Sequence, residues 1–150
     1  MKAMIFAAGL GTRLKPLTDT MPKALVPVAG KPMLEHVILK LKAAGFNEIV
    51  VNVHHFANQI IEFLKEKNDF GITIHISDET DLLLDTGGGI KKAASFFTGN
   101  APFLVHNVDI LSNVDLKALY EYHLTSGNDA TLLVSPRKTT RYLLFDHANH

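Results

Sequence analysis

The stretch MIFAAGLGTRLKPLTDTMPKALVPVAG, residues 4–30, decides the fold. It opens with an apolar run, residues 4–8, that continues directly into the glycine-containing segment 9–13. A short apolar run that ends in glycines is typical of a buried strand followed by a tight loop. In open α/β sheets ligands bind at the carboxyl ends of strands. With Arg13 and Lys23 close by, the stretch predicts a loop that meets a phosphorylated ligand.

The rest of the chain alternates between strand-like and helix-like segments. Strands separated by helices need crossover connections, so the pattern predicts an α/β protein with a mostly parallel sheet and helices on both faces. The predicted strands are residues 2–8, 48–53, 72–76, 102–107, 130–135 and 142–145. The predicted helices run from Lys31-Pro32 to Gly45 and over residues 56–67, 90–97 and 116–124.

Length and composition limit the possible functions. A chain of 150 residues, 47% hydrophobic and 20% charged, fits one folded domain. Fifteen Lys and Arg balance fifteen Asp and Glu, so no overall field attracts nucleic acid or an acidic membrane. Cysteine is absent, which excludes disulfides and thiolate metal sites. No stretch approaches the roughly 20 apolar residues of a membrane span. We therefore expect a cytoplasmic protein with neither nucleic-acid nor membrane partners.

Two familiar phosphate-binding loops do not match the segment around Gly9 and Gly11. A P-loop needs G-x-x-x-x-G-K-[ST], and neither glycine begins such a run. A dinucleotide-binding loop needs a third glycine, where this chain has Leu14, and an acidic residue closing the second strand. That strand ends in Asn52-Val53-His54 instead.

The remaining pattern is G-L-G-T-R-L-x-P-L-T from Gly9, followed by P-K-A-L-V-P-V from Pro22. It resembles the signature of the sugar-1-phosphate nucleotidyltransferases, and Gly30-Lys31-Pro32-Met33 and Asn107-Val108-Asp109 fit as well. The resemblance extends along essentially the whole chain. It implies a three-layer, Rossmann-like α/β/α fold. It also implies transfer of a nucleoside monophosphate from an NTP to a sugar 1-phosphate, with release of pyrophosphate.

The resemblance assigns the first loop to the nucleotide. Ala7, Ala8 and Gly9 are implied to line the nucleotide site with backbone groups. Gly11 and Thr12 are implied to offer N–H donors to the phosphates, as a loop nest does.

The charged residues of the site are assigned in the same way. Arg13 matches the family arginine that holds the triphosphate, and Lys23 matches the lysine near the α-phosphate. Asp109 matches the Mg²⁺ ligand, so Mg²⁺ is the expected cofactor. Val108 stands where the family usually has glycine, and a β-branched residue would disturb the backbone if a positive φ were required there.

A second glycine loop, Asp85-Thr86-Gly87-Gly88-Gly89, matches the family loop that recognises the base. Asp85, Gly88 and Asn107 complete the implied nucleotide-binding set. The L-x-T-G-G-G-I form most resembles bacterial N-acetylmuramate-1-phosphate uridylyltransferases, followed by mannose-1-phosphate guanylyltransferase-like proteins. It favours UTP, with GTP next.

The family takes the acceptor sugar and a second Mg²⁺ carboxylate from a C-terminal part that no stretch of this chain matches. Residues 1–150 are therefore expected to be the NTP-binding part of a nucleotidyltransferase domain, with homo-oligomers as a further expectation. Two alternatives stay open. One is a nucleotide-binding regulatory module without turnover, and the other is a choline- or polyol-phosphate cytidylyltransferase.

Overall fold

A computed structural model of the chain describes residues 1–136, 138 and 140. Within them, four parallel strands form a sheet in the order β5-β4-β1-β6, which confirms the predicted α/β class. The strands are β1 (Lys2–Phe6), β2 (Pro27–Val28), β3 (Lys31–Pro32), β4 (Glu48–Val53), β5 (Thr73–Asp78) and β6 (Phe103–Asn107). The α-helices are α1 (Met33–Ala43), α2 (Ala57–Glu66), α3 (Asp85–Lys92) and α4 (Leu116–Ser126).

The two faces of the sheet are covered by different helices because side chains alternate along a strand. On β1, Ala3 and Ile5 join a core that includes buried side chains of α1, α2 and α4. Met4, between them, joins a smaller core on the opposite face with Val50 and with Ala93, which follows α3. Helices therefore lie on both faces, as the predicted three-layer arrangement requires.

Helix α1 shows why the apolar spacing was informative. Its buried apolar side chains recur three or four residues apart, at Met33, Leu34, Val37, Ile38 and Leu41, so one stripe faces the core. The chain leaves the helix before Gly45, whose φ of 91° suits a residue without a Cβ. The predicted start was wrong, because Lys31 and Pro32 pair with Val28 and Pro27 in a short antiparallel hairpin.

The predicted helix over residues 90–97 was also misplaced. The helix α3 already begins at Asp85 and contains the glycine cluster, and a 3₁₀ turn, Ala93–Phe96, follows it. Glycine disfavours a helix interior by roughly 1 kcal/mol relative to alanine, which made a loop the natural prediction. Gly89 is nevertheless buried against Glu79 and Asn52, a close approach that favours glycine inside a helix.

The two C-terminal strand predictions had different outcomes. Residues 130–135 form no strand, and Leu132, Leu133 and Val134 are exposed, so this apolar run finds no strand partner within the described part of the chain. The predicted strand over residues 142–145 lies outside the described residues. Among the described residues, none of the helices has the length and apolar character that crossing a bilayer requires.

Candidate active site

The parallel register brings the strand ends to one edge of the sheet. Phe6 at the end of β1 is paired with Asn52 on β4 and with Asn107 on β6. A cleft of about 470 Å³ opens there. It is lined by these predicted site residues: Ala7, Ala8, Gly9, Arg13, Lys23, Asp85, Asn107 and Asp109. Residues more than a hundred positions apart in sequence, Ala7 and Asp109, therefore line the same cleft.

A second and larger cavity, about 800 Å³, lies beside β6. Its lining is mainly apolar and includes none of Arg13, Lys23 and Asp109. A phosphorylated ligand needs donors and positive charge, so the smaller, charged cleft is the candidate site.

Two charged side chains of the cleft form an ion pair. The Lys23 ammonium donates to the Asp109 carboxylate. The Lys23 side chain is 18% exposed and that of Asp109 is 37% exposed, so the carboxylate is the more accessible partner. Arg13 lies in an exposed 3₁₀ turn, Thr12–Leu14, on the same cleft. The Lys23–Asp109 pair and Arg13, which come from distant parts of the chain, therefore line one cleft at the strand ends.

The strand end that carries Asp109 keeps a regular backbone. Val108 is buried, its N–H donates to the Phe6 carbonyl, and its φ is not positive. A β-branched residue is therefore accommodated where the family usually has glycine. Burial lowers the pKa of His106, whose Nδ1–H donates to the Asn107 carbonyl at 2.7 Å. This hydrogen bond orients the peptide that precedes Val108.

Three predicted site residues do not line the cleft. Gly11 has a φ of 65°, and a Cβ there would lie 2.9 Å from Thr18 Cγ2 and 3.0 Å from Lys23 Cβ. Its carbonyl accepts a hydrogen bond from Thr18 Oγ1 at 2.9 Å. Gly11 therefore lets the loop pack against the stem of Lys23, while its neighbour Thr12 begins the exposed turn. Gly88 lies inside α3 against Leu84.

The second loop reaches the cleft through Asp85 and Thr86. Asp85 has a φ of 58°, an unusual conformation for a residue with a side chain. Its Oδ1 accepts the Thr86 N–H at 2.9 Å, and such local bonding is one reason that aspartate tolerates this conformation. The first residue of α3 therefore lines the cleft in a left-handed backbone conformation that its own side chain supports.

Sequence reasoning missed two polar residues of this wall, Asn52 and Glu79. They are 2% and 0% exposed, respectively. Buried polar groups need partners, so an asparagine within the apolar strand 48–53 was the signal that could have found the first of them.

Gly89 offers a test of how tightly this wall is packed. A Cβ at Gly89 would lie 3.0 Å from Glu79 Oε1 and 3.2 Å from Asn52 Nδ2. Both atoms are hydrogen-bonded to each other and buried, so neither can easily move. Gly89→Ala should lower the free energy of unfolding by about 1–3 kcal/mol, the usual cost of overpacking.

Gly87→Ala is the matched control in the same helix, because a Cβ at Gly87 meets nothing within 4 Å. It should stabilise the protein by up to about 1 kcal/mol through helix propensity. Urea unfolding of both variants decides the question. Equal stabilisation by the two alanines would show that Asn52 and Glu79 can shift to accommodate a methyl group at position 89.

Together the fold and the cleft define a class of protein: an α/β domain that presents backbone groups, two cations and acidic side chains at the carboxyl edge of a parallel sheet. The pattern that describes the nucleotidyl transferase family matches residues 2–143, and the chain belongs to that family.

Named relatives agree with this assignment. The chain is 46% identical over 121 residues to the N-acetylmuramate alpha-1-phosphate uridylyltransferase of Neisseria meningitidis serogroup B, covering 81% of this chain and 52% of that protein. It is 40% identical over 137 residues to a mannose-1-phosphate guanyltransferase of Gibberella zeae, covering 90% and 37% of the two chains.

A solved structure shows the same fold. The HddC protein of Yersinia pseudotuberculosis, crystallised with GMP-PN, superposes with a TM-score of 0.72 at 31% identity. The match covers 83% of this chain and 54% of that one. The chain thus spans about half the length, or less, of the relatives that it matches.

Proposed function

We propose that this chain is the NTP-binding part of an enzyme that joins a nucleoside triphosphate to a sugar 1-phosphate, giving a nucleotide sugar and pyrophosphate. The observation that carries the proposal is the convergence of Arg13, Lys23 and Asp109 on one cleft beside the Ala7–Gly9 backbone. Relatives that are named as sugar-1-phosphate uridylyl- and guanylyltransferases support it.

In this reaction the protein must hold two anions that repel each other, the NTP and the sugar 1-phosphate. A phosphate oxygen of the sugar 1-phosphate bonds to the α-phosphorus of the NTP as the bond to the pyrophosphate oxygen breaks. Arg13 presents a planar fork of donors that stays charged, which suits the β- and γ-phosphates and the departing pyrophosphate. Lys23 is a mobile point charge whose ammonium can move from Asp109 to an α-phosphate oxygen. Charges placed before the reaction stabilise the transition state without reorganising at that moment.

We propose Mg²⁺ as the cofactor, and Asp109 as its ligand in this chain. A carboxylate on the wall of a phosphate cleft is the hard oxygen donor that Mg²⁺ takes, because this ion is usually bound by one or two carboxylates together with substrate phosphates. When bound, Mg²⁺ neutralises phosphate charge. Asp109 is accessible enough to serve, and its contact with Lys23 keeps the two groups together in the cleft.

UTP is the proposed nucleotide, with GTP next. The support is the identity to an N-acetylmuramate alpha-1-phosphate uridylyltransferase, 46% over 121 residues, against 40% over 137 residues to a mannose-1-phosphate guanyltransferase. The base itself would be read by a few hydrogen bonds near α3, where Asp85 and Thr86 line the cleft.

The proposal is tested by substrate dependence in the complete gene product. Pyrophosphate should be released only when an NTP, a sugar 1-phosphate and Mg²⁺ are all present, and the free sugar should not replace the sugar 1-phosphate. Chelation of Mg²⁺ should stop release, because two phosphate anions then approach without a neutralising cation. All four NTPs are assayed against several sugar phosphates, choline phosphate and polyol phosphates.

The alternatives predict different results. Nucleotide binding without pyrophosphate from any acceptor would identify a regulatory module. Release with CTP and choline or polyol phosphate alone would identify a cytidylyltransferase.

A further inference from the structure

We infer that Asn52 is a positioning residue which, together with Glu79, holds the nucleotide side of the cleft in place. The inference rests on the proposed function, since it concerns the affinity of that same cleft for an NTP. It assigns a task to two buried polar side chains that the proposed mechanism does not use.

Asn52 connects the first loop to the rest of the wall. Its Oδ1 accepts the N–H groups of Ala7 and Ala8, at 2.7 and 3.2 Å. Its Nδ2 donates to Glu79 Oε1 at 2.8 Å. The Glu79 Oε2 in turn accepts the Leu84 N–H at 3.2 Å, just before α3. One chain of hydrogen bonds thus links the loop after β1 to the segment that leads into the second loop.

These partners allow only one orientation of the Asn52 amide. Backbone N–H groups need an acceptor and a carboxylate needs a donor, so the oxygen must face Ala7 and Ala8 and the nitrogen must face Glu79. Both lone pairs of Oδ1 are then used within the protein. Asn52 therefore acts on the nucleotide through the backbone that it holds, and Glu79 fixes its orientation.

Burial makes this arrangement costly to disturb. Asn52 is 2% exposed and Glu79 is 0% exposed, so water cannot easily replace a lost partner. Gly89 packs against the same two side chains. The positions of Ala7–Gly9 and of Asp85 on the cleft wall therefore depend on this pair.

The pair can be exchanged without losing a hydrogen bond. Asn52→Asp alone places two carboxylates in contact, and one of them must take up a proton or be repelled. Glu79→Gln alone leaves either Asn52 Nδ2 or the Leu84 N–H facing a donor. In the double variant a carboxylate at position 52 accepts from Ala7, Ala8 and the new amide at position 79. That amide's oxygen accepts the Leu84 N–H, and the total charge is unchanged.

The experiment measures KM for the NTP, kcat and melting temperature in the complete gene product. Each single variant should raise KM for the NTP by about tenfold, the effect of losing one buried hydrogen bond, with a smaller change in kcat. The double variant should recover most of the lost affinity. Tyr120→Phe is the control, since it removes a hydrogen bond to the Pro102 carbonyl outside this network. It should lower the melting temperature without raising KM.

Three results would overturn the inference. Unchanged KM in Asn52→Asp would show that the network does not position the nucleotide. A double variant no better than the poorer single variant would show that the pairing is not what matters, and this holds even if the singles fold badly. If Tyr120→Phe lowered the melting temperature as much as the single variants do and raised KM as much, the rise in KM would follow from loss of stability and not from this network. Failure of the proposed function is seen separately, as no nucleotidyl transfer by the wild type, and the inference then falls with it.

Discussion

Arg13→Ala in the complete gene product should lower kcat/KM by at least about 10²-fold. This is the scale of losing one preorganised donor that stabilises developing charge. Arg13 lies in an exposed turn on the cleft wall, so its removal costs little stability and the loss appears in catalysis. Arg13→Lys should restore little of the rate, because the ammonium lacks the planar fork that contacts two phosphate oxygens together. The measurement is pyrophosphate release under varied NTP.

Lys15→Ala is the matched control for charge near this loop. Lys15 is two residues away, its side chain is 63% exposed, and it pairs with Asp19 rather than lining the cleft. Its removal should leave kcat/KM nearly unchanged, since an exposed ion pair contributes little. Near-normal turnover in Arg13→Ala would take Arg13 out of the mechanism. A comparable loss of kcat/KM in Lys15→Ala would show that the positive charge near this loop matters in general, and not Arg13 in particular.

Asp109→Asn should abolish pyrophosphate release while leaving the fold intact. The amide keeps the shape of the carboxylate but loses the charge that would hold Mg²⁺ and that now pairs with Lys23. Excess Mg²⁺ should not restore the rate. Turnover and melting temperature are measured on the same preparation, so that loss of activity is separated from loss of fold.

Asp115→Asn provides the control for the same chemical change elsewhere. The Asp115 carboxylate accepts the Ala118 N–H at 3.0 Å and caps α4. Asparagine caps a helix about as well as aspartate, so this variant should keep both stability and turnover. Full activity in Asp109→Asn would contradict the role proposed for Asp109 and, with it, the proposed Mg²⁺ site.

Much of the architecture could be predicted because the helices and strands depend on the pattern of residues within each segment. The strand β4 has the predicted bounds, and α1, α2 and α4 lie where apolar residues recur at helical spacing. Apolar residues with a period of 3.6 predict a helix with one buried face, and a short apolar run predicts a buried strand. Neither prediction requires knowledge of the packing partner. The same argument failed for residues 130–135, where an apolar run has no strand partner among the described residues.

Most residues of the candidate site could be predicted from sequence motifs, but their packing could not. The motifs around Gly9, Pro22 and Asn107 name most of the residues that the parallel register brings to one edge. Their catalytic and binding roles stay predictions for the experiments above. For Gly11 and Gly88, sequence could mark the loops but not the packing against Thr18, Lys23 and Leu84 that excludes these glycines from the cleft wall.

The sequence by itself determined the strand-loop pattern, the fold class and the charged residues of the first loop, because each depends on neighbours within a few positions. Only the tertiary structure decided that the glycines of residues 87–89 lie in a helix and that Asn52 joins Ala7 to Glu79. Those partners are 45 and 27 residues away from Asn52. Their contact with Asn52 depends on the order and register of β1, β4 and β5. Because an unpaired buried amide is costly, the arrangement in which Asn52, Ala7, Ala8 and Glu79 all have hydrogen-bond partners is favoured.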